Sequence, residues 1–289
     1  MNLLKYVGSK AKLLPIIQKY IPDDTKIIVE PFCGSASVSL SQTKDYYLSD
    51  SSPELINFLQ CVKEDPVAVC EEVFKLLDDE KSISLKKGFL NSKKDFFMDL
   101  RSQDRSPLAF TGLCKYNKAA RYYYIIYHCF NGVYRVNQKG LCNIPYGGDN
   151  RKLPNDWKSR ILEASNHLNL YCKGIFDNQF DDEYLLQSIL DSCNNPDDIF
   201  TFIDPPYYNT FDMYTKEGTK FEFWDRLEIY LNNLTQAGIP FLMTNSYHDF
   251  ILEKFSKYNI DKVSVKYTVG ANGVRKDTFE AFITNKNLL

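Results

Sequence analysis

The sequence predicts an α/β fold, a mostly parallel sheet interrupted by a basic and mainly helical segment. Three observations lead there. Apolar runs such as Lys26-Ile27-Ile28-Val29-Glu30 and Ile199-Phe200-Thr201-Phe202-Ile203 have the length and composition of buried parallel strands. The strand–helix rhythm breaks between about residues 60 and 150 and resumes after Pro154. Within that break, residues 81–160 hold 16 Lys/Arg against 5 Asp and no Glu, a net +11, so the rest of a chain totalling −2 carries −13. A basic segment set in an acidic body is the footprint of a polyanion partner, and its plain alternative is a solvated lysine-rich surface.

In chain order, the strand Lys26–Glu30 leads into the turn Pro31-Phe32-Cys33-Gly34-Ser35 and then a helix expected from Ala36 to Leu40. A second strand, Asp45–Asp50, precedes Ser51-Ser52-Pro53-Glu54, where Ser52 suits an N-cap and Pro53 the first helical position. The interrupting segment reads as helices, then a Tyr-rich stretch from Arg121 to Phe130, then a hairpin. The hairpin holds the turn dipeptide Asn131-Gly132 as well as Gln138-Lys139-Gly140, and Tyr146-Gly147-Gly148-Asp149 closes it. Asn169–Cys172 reads as a short strand ending near Asp177. Ile199–Ile203 and Pro240–Thr244 read as strands, and Lys262–Val269 with Thr278–Thr284 as a final antiparallel pair. The expected domains are residues 1–58 with 152–289, and an insertion over 59–151.

Composition narrows the function classes. A 289-residue chain with 44% hydrophobic residues can bury a substantial core. No apolar run suits a signal peptide or a membrane span. The eight cysteines form no C-x-x-C pair and the three histidines lie at no zinc spacing from them, so no metal is expected. Reduced thiols in a cytoplasmic protein are the expectation.

The chemistry concentrates in Asp204-Pro205-Pro206-Tyr207, directly after an apolar strand. Ligands in open α/β sheets sit at such strand ends. An exocyclic aromatic amine is a poor nucleophile because its lone pair is delocalised into the ring. A carboxylate and a backbone carbonyl that each accept one of its N–H groups favour a pyramidal nitrogen, whose lone pair can attack a methyl sulfonium. The prolines stiffen the backbone presenting that carbonyl, and Tyr207 offers a flat face to an unstacked base. The plain alternative is a Pro-Pro turn with a solvated Asp. Glu30-Pro31-Phe32-Cys33-Gly34-Ser35-Ala36 reads as a cofactor turn, although its single glycine does not make the dinucleotide fingerprint. Asp50, at the end of the next strand, stands where an acidic side chain would bind ribose hydroxyls or simply start a helix.

In these motifs the chain resembles the Dam-type DNA adenine-N6 methyltransferases over nearly its whole length. Lys5-Tyr6-Val7-Gly8-Ser9-Lys10 resembles the family's N-terminal cofactor motif, Val29–Leu40 its FxGxG turn, and Tyr47–Asp50 its acidic second strand. Phe130–Asn137, with Gly140, Asn143, Pro145 and Gly147, resembles its base-reading hairpin, and Asp204–Tyr207 its catalytic motif. Ala36 stands where the family usually has a second glycine, and Tyr6 where some members have Trp.

The resemblance implies a Rossmann-like class I methyltransferase sheet with an inserted, mainly helical target-recognition domain carrying a β-hairpin. It implies S-adenosylmethionine as cofactor, held by Tyr6, Lys10, Glu30, Phe32, Gly34, Asp50, Asp177 and Asp204. Asp204 would act on the target amine, with Pro205, Pro206 and Tyr207 completing the catalytic motif. Double-stranded DNA is the implied partner, contacted by Lys5, Lys118, Arg121, Asn131, Arg135, Asn137 and Pro145. Lys86, Lys87, Lys93, Lys94, Arg101 and Lys115 join Lys118 and Arg121 as candidate phosphate contacts. The implied target is adenine in GATC or a GAT-containing site, and the resemblance leaves room for a cognate restriction endonuclease. Cytosine-C5 transfer is disfavoured because no Pro-Cys pair occurs. The rivals are an adenine-N6 methyltransferase acting on RNA and an inactive DNA-binding regulator on the same scaffold. The hairpin argues against the first, and the intact Asp204–Tyr207 motif against the second.

Overall fold

The computed structural model describes residues 3–87, 92–106, 110–130, 132, 134–178, 180, 189–191, 195–208, 217–269 and 274–286, with backbone only at 84–87, 92, 217–221, 266–269 and 274–277. Asn131 and Cys193 lie outside the described residues, as do the side chains of Lys86 and Lys87. The chain forms two compact units, one of residues 1–9 and 52–175, the other of residues 10–51 and 176–289.

The second unit is built on the sheet. Strands β1 (Ile27–Glu30), β2 (Asp45–Ser49), β3 (Cys172–Phe176), β4 (Ile199–Ile203), β5 (Phe241–Ser246), β6 (Asn259–Val269) and β7 (Val274–Thr284) lie in the order β3-β2-β1-β4-β5-β7-β6. Only the last residue of β3 belongs to this unit. β2, β1, β4 and β5 pair in parallel, whereas β7 runs antiparallel to both β5 and β6. Every residue of β1 and β4 is buried, as expected of strands covered on both faces. Trp224, Leu227, Leu231 and Leu234 of helix α7 (Glu217–Gln236) pack with Ile199, Ile203, Phe241 and Met243 of the central strands.

The first unit is mainly helical. It holds α2 (Pro53–Glu64), α3 (Pro66–Lys87), α4 (Ser92–Ser102), α5 (Lys115–His128) and α6 (Trp157–Tyr171). A cluster of Phe96, Phe97, Leu100, Tyr124, Ile125, Cys129, Cys142 and Ile144 joins α4 and α5 to the hairpin that follows.

Three local expectations change. The helix expected over Ala36–Leu40 is replaced by turns and a 3-10 segment at Ser39–Ser41. Gly34 (φ 47°) and Ala36 (φ 51°) are both left-handed, and right-handed helix cannot run through them. The strand expected from Asn169 starts at Cys172, because burial of Trp157, Ile161, Ala164, Ser165 and Leu168 carries α6 on to Tyr171. Pro53 does open α2, but the Ser52 side chain makes no capping bond.

The hairpin reverses at Asn137–Leu141, around the expected Gln138-Lys139-Gly140, whereas Asn131 of the other expected turn dipeptide lies outside the described residues. Cys129 pairs with Tyr146 and Val136 with Cys142, both antiparallel, and the Asn137 amide donates to the Leu141 carbonyl at 2.8 Å. The Asn137 side-chain oxygen accepts from the Lys139 and Leu141 amides, and Gly140 takes φ 73°. Gly132 admits a close approach: a Cβ there would lie 2.8 Å from the Lys5 carbonyl oxygen.

Candidate active site and nucleic-acid interface

Asp204 follows β4 at the carboxyl end of the parallel strands. Its Oδ2 accepts from the Lys10 ammonium at 2.6 Å and its Oδ1 from the Thr244 hydroxyl at 2.8 Å. The Lys10 side chain is only 4% exposed, and its ammonium also lies 4.9 Å from the centre of the Tyr207 ring. The cation therefore holds one oxygen of the carboxylate expected to act on a target amine and lies over the ring expected to stack on the base. Pro205 is buried and Pro206 exposed.

The same sheet edge gathers the acidic candidates. The Asp50 Oδ2 accepts the Gly34 amide at 3.0 Å, which ties the end of β2 to the turn after β1. The Asp50 amide donates to the Phe176 carbonyl, which brings in exposed Asp177 as the next residue of that chain. Phe32 stacks on Phe180 with ring centres 4.9 Å apart. Glu30 is buried, and its Oε1 accepts the Ser39 amide at 2.6 Å. Burial pushes its carboxyl up to about 7 against the opposing pull of the Ser39 bonds, and the nearby charge of Asp204 adds to the rise. Tyr6, half-buried, belongs to the first unit.

Ala36 occupies the left-handed position at which a glycine would be relaxed. An alanine there costs about 1–2 kcal/mol of backbone strain, against about 0.5–1 kcal/mol of extra chain entropy for glycine. Ala36→Gly is therefore expected to stabilise the protein by about 0.5–1 kcal/mol in thermal or urea unfolding. A lower midpoint would mean that the buried methyl group contributes more than the strain costs.

Most expected nucleic-acid contacts lie in the first unit, and one of them is corrected. Arg121 is 2% exposed. Its guanidinium donates to the Leu100 and Arg101 carbonyls at the C-terminus of α4, each at 2.8 Å, and lies 3.5 Å from the Asp104 carboxylate. No phosphate can reach it without unpacking this unit. Arg101 and Arg105 are spent similarly, donating to the Ile144 and Cys142 carbonyls of the hairpin. Lys115 pairs with Glu64, and Lys93 donates to the Arg151 carbonyl. Part of the +11 charge thus holds the unit together.

Lys118 on α5 stays partly exposed and lies over the Phe110 ring at 5.2 Å. Lys5 is half-buried, and burial, reinforced by the charge of Arg151, pulls its ammonium below the ordinary lysine range. Pro145 is exposed, and its carbonyl accepts the Phe130 amide. Arg135 Nε and Asn143 Oδ1 are buried without a hydrogen-bond partner among the described residues. They sit on facing arms of the hairpin, where the Asn143 amide donates to the Arg135 carbonyl.

Three further residues stand at these sites, Thr244, Asn245 and Phe130. Thr244 and Asn245 are polar residues at the carboxyl end of the apolar strand β5, a signal visible in the sequence. Phe130, a large apolar side chain on the hairpin, is 55% exposed. Among the described residues no group of His, Cys, Asp and Glu could hold a metal ion, and no helix is long and apolar enough to cross a membrane.

The chain is similar to known proteins over nearly its whole length. Residues 6–269 match the family model described as D12 class N6 adenine-specific DNA methyltransferase. The type II methyltransferase M1.LlaDCHI of Lactococcus lactis subsp. cremoris is 29% identical, with 97% of this chain and 94% of the relative covered. The type II methyltransferase M.MjaIII of Methanocaldococcus jannaschii is 27% identical, with 98% of each chain covered. A DNA adenine methylase of Vibrio cholerae is 24% identical, covering 97% of this chain and 94% of the relative. With the match spanning most of its length, the chain belongs to the D12 class of N6 adenine-specific DNA methyltransferases.

Proposed function

We propose that the protein methylates N6 of an adenine flipped out of double-stranded DNA, with S-adenosylmethionine as donor, at GATC or a GAT-containing site. The geometry of Asp204 carries the reading. One carboxylate oxygen is held by Thr244, and the other already accepts an N–H from an amine-bearing side chain. A target amine would share or take over the contact of Lys10, with the backbone carbonyl of the Pro-Pro turn accepting its second N–H and Tyr207 stacking on the base.

The cofactor's chemistry suits its proposed site. S-adenosylmethionine supplies an electrophilic methyl group on a sulfonium, and it carries an ammonium and a ribose diol. Glu30, Asp50, Asp177 and Asp204 offer carboxylates to those groups, and the left-handed turn at Gly34–Ala36 allows close backbone approach. Tyr6, Lys10 and Phe32 complete the proposed set.

The first unit, which contains the insertion expected over 59–151, is proposed to recognise the target. Lys5, Lys118, Asn131, Arg135, Asn137 and Pro145 remain proposed contacts, and exposed Phe130 suits an apolar wedge between bases. Buried polar atoms without partners are uncommon in folded proteins, so Arg135 Nε and Asn143 Oδ1 suit completion by a ligand. Arg135→Ala is expected to cost about 1–3 kcal/mol at one base position and relax specificity there. Lys118→Ala is expected to weaken all sequences alike. Both variants would be assayed on the cognate duplex and on every single-base variant of it. A uniform loss for Arg135→Ala would remove it as a base reader.

The overall reading is tested by incubating unmethylated genomic DNA with the purified protein and S-adenosylmethionine and mapping every N6-methyladenine. Marks confined to a motif without GAT would overturn the site assignment. Preferential methylation of a matched RNA would overturn the substrate.

A further inference from the structure

The cost of burying the Thr244 hydroxyl points to a task for it. Thr244 lies in β5 with no exposed surface, between Met243 and Asn245, which are equally buried. Valine has the same shape and would fill this β-branched position without burying a polar group. The hydroxyl donates to Asp204 Oδ1 at 2.8 Å across the β4–β5 pairing, where Ile203 stands opposite Met243. The next residue makes a second tie. The Asn245 side-chain oxygen accepts the amide of Tyr208 at 3.2 Å. Pro205 and Pro206 have no amide hydrogen to give, so the loop they occupy cannot be pinned through its own N–H groups there. β5 therefore clamps both ends of the 204–208 segment.

We propose that Thr244 is a positioning residue for methyl transfer, fixing the rotation of the Asp204 carboxylate so that Oδ2 faces the target amine, while Asn245 holds the far end of the loop. The torsion that rotates an Asp carboxylate is broad and two-fold, so an unpinned group samples unproductive orientations. The inference rests on the role proposed above for Asp204.

The test is single-turnover methylation of a duplex carrying the mapped site by the full chain at saturating S-adenosylmethionine. Thr244→Val is expected to slow the chemical step about 10–100-fold, the scale of a misplaced reacting group, with affinity for DNA and cofactor unchanged. Thr244→Ser restores the hydroxyl and is expected to recover most of the rate. Thr244→Ala serves as the second hydroxyl-free variant should the valine protein fail to fold, with melting curves recorded for all. The inference is overturned if a folded hydroxyl-free variant keeps wild-type rate, if serine is as slow as valine, or if the deficit disappears at higher substrate concentration. An Asp204→Ala protein run alongside separates the two readings. If it is inactive while Thr244→Val is fully active, only the role of Thr244 falls. If it keeps its turnover, the role of Asp204 falls and this inference with it.

Discussion

Asp204→Ala is expected to lower methyl transfer by about 10²–10³ while duplex affinity stays near wild-type, because the side chain acts on the reacting amine and not on the DNA backbone. Asp204→Asn keeps an acceptor oxygen but not the charge, and is expected to be severely impaired as well. The ion pair adds a second expectation. Removing the carboxylate takes its ion-pair partner from an ammonium whose side chain is 4% exposed, so Asp204→Ala also loses stability, up to about 3 kcal/mol. Rates therefore have to be compared below the melting range of the variant. More than a tenth of wild-type turnover in folded Asp204→Ala would remove Asp204 from the chemistry.

Arg121→Ala is expected to destabilise the protein by about 3–5 kcal/mol, the scale of breaking a buried, hydrogen-bonded charge network. The substitution frees the carbonyls of Leu100 and Arg101 at the end of α4 and takes a cation from beside Asp104. Asp104 in turn accepts the Cys142 amide at 2.6 Å, so the loss reaches the hairpin. Arg121→Ala should then impair DNA recognition through disorder of the hairpin, a result easily mistaken for a lost phosphate contact. Arg121→Lys does not rescue, because an ammonium cannot reproduce the planar fork. Melting curves for Arg121→Ala beside Lys118→Ala discriminate, since the partly exposed Lys118 is expected to cost no more than about 0.5 kcal/mol. An Arg121→Ala protein that melts with the wild type yet shows a shallower salt dependence of DNA binding would return Arg121 to the phosphate contacts.

The two substitutions mark where the sequence was legible. Asp204 was legible because its setting is local: an apolar strand, then a proline-stiffened turn at the strand end where α/β sheets bind ligands. Asp50 was legible for the same reason. Arg121 was misread because its role is decided by partners 20 and 21 residues away, whose carbonyls are orphaned only where α4 happens to end. Charge counting treats every arginine of the basic segment alike, and folding divides them into those that cap the unit's own backbone and those that remain outside. Gly132 shows what a dipeptide pattern leaves open. A glycine with positive φ can serve a turn and also admit a close neighbour, and the approach of the Lys5 backbone to Gly132 is visible only in the folded chain.

By itself the sequence determined the α/β class, the main strands, the places of Asp204 and Asp50 at strand ends and the kinship that makes the chain an adenine-specific DNA methyltransferase. These rest on periodicity and short motifs, which survive without knowledge of what lies opposite. Only the tertiary structure decided that Lys10 pairs with Asp204 across 194 residues, that Thr244 holds the other oxygen, and that Ala36 is left-handed. Each depends on which chains the sheet brings side by side. Contact energies between groups far apart in sequence are fixed by strand order and register, and no local pattern encodes them.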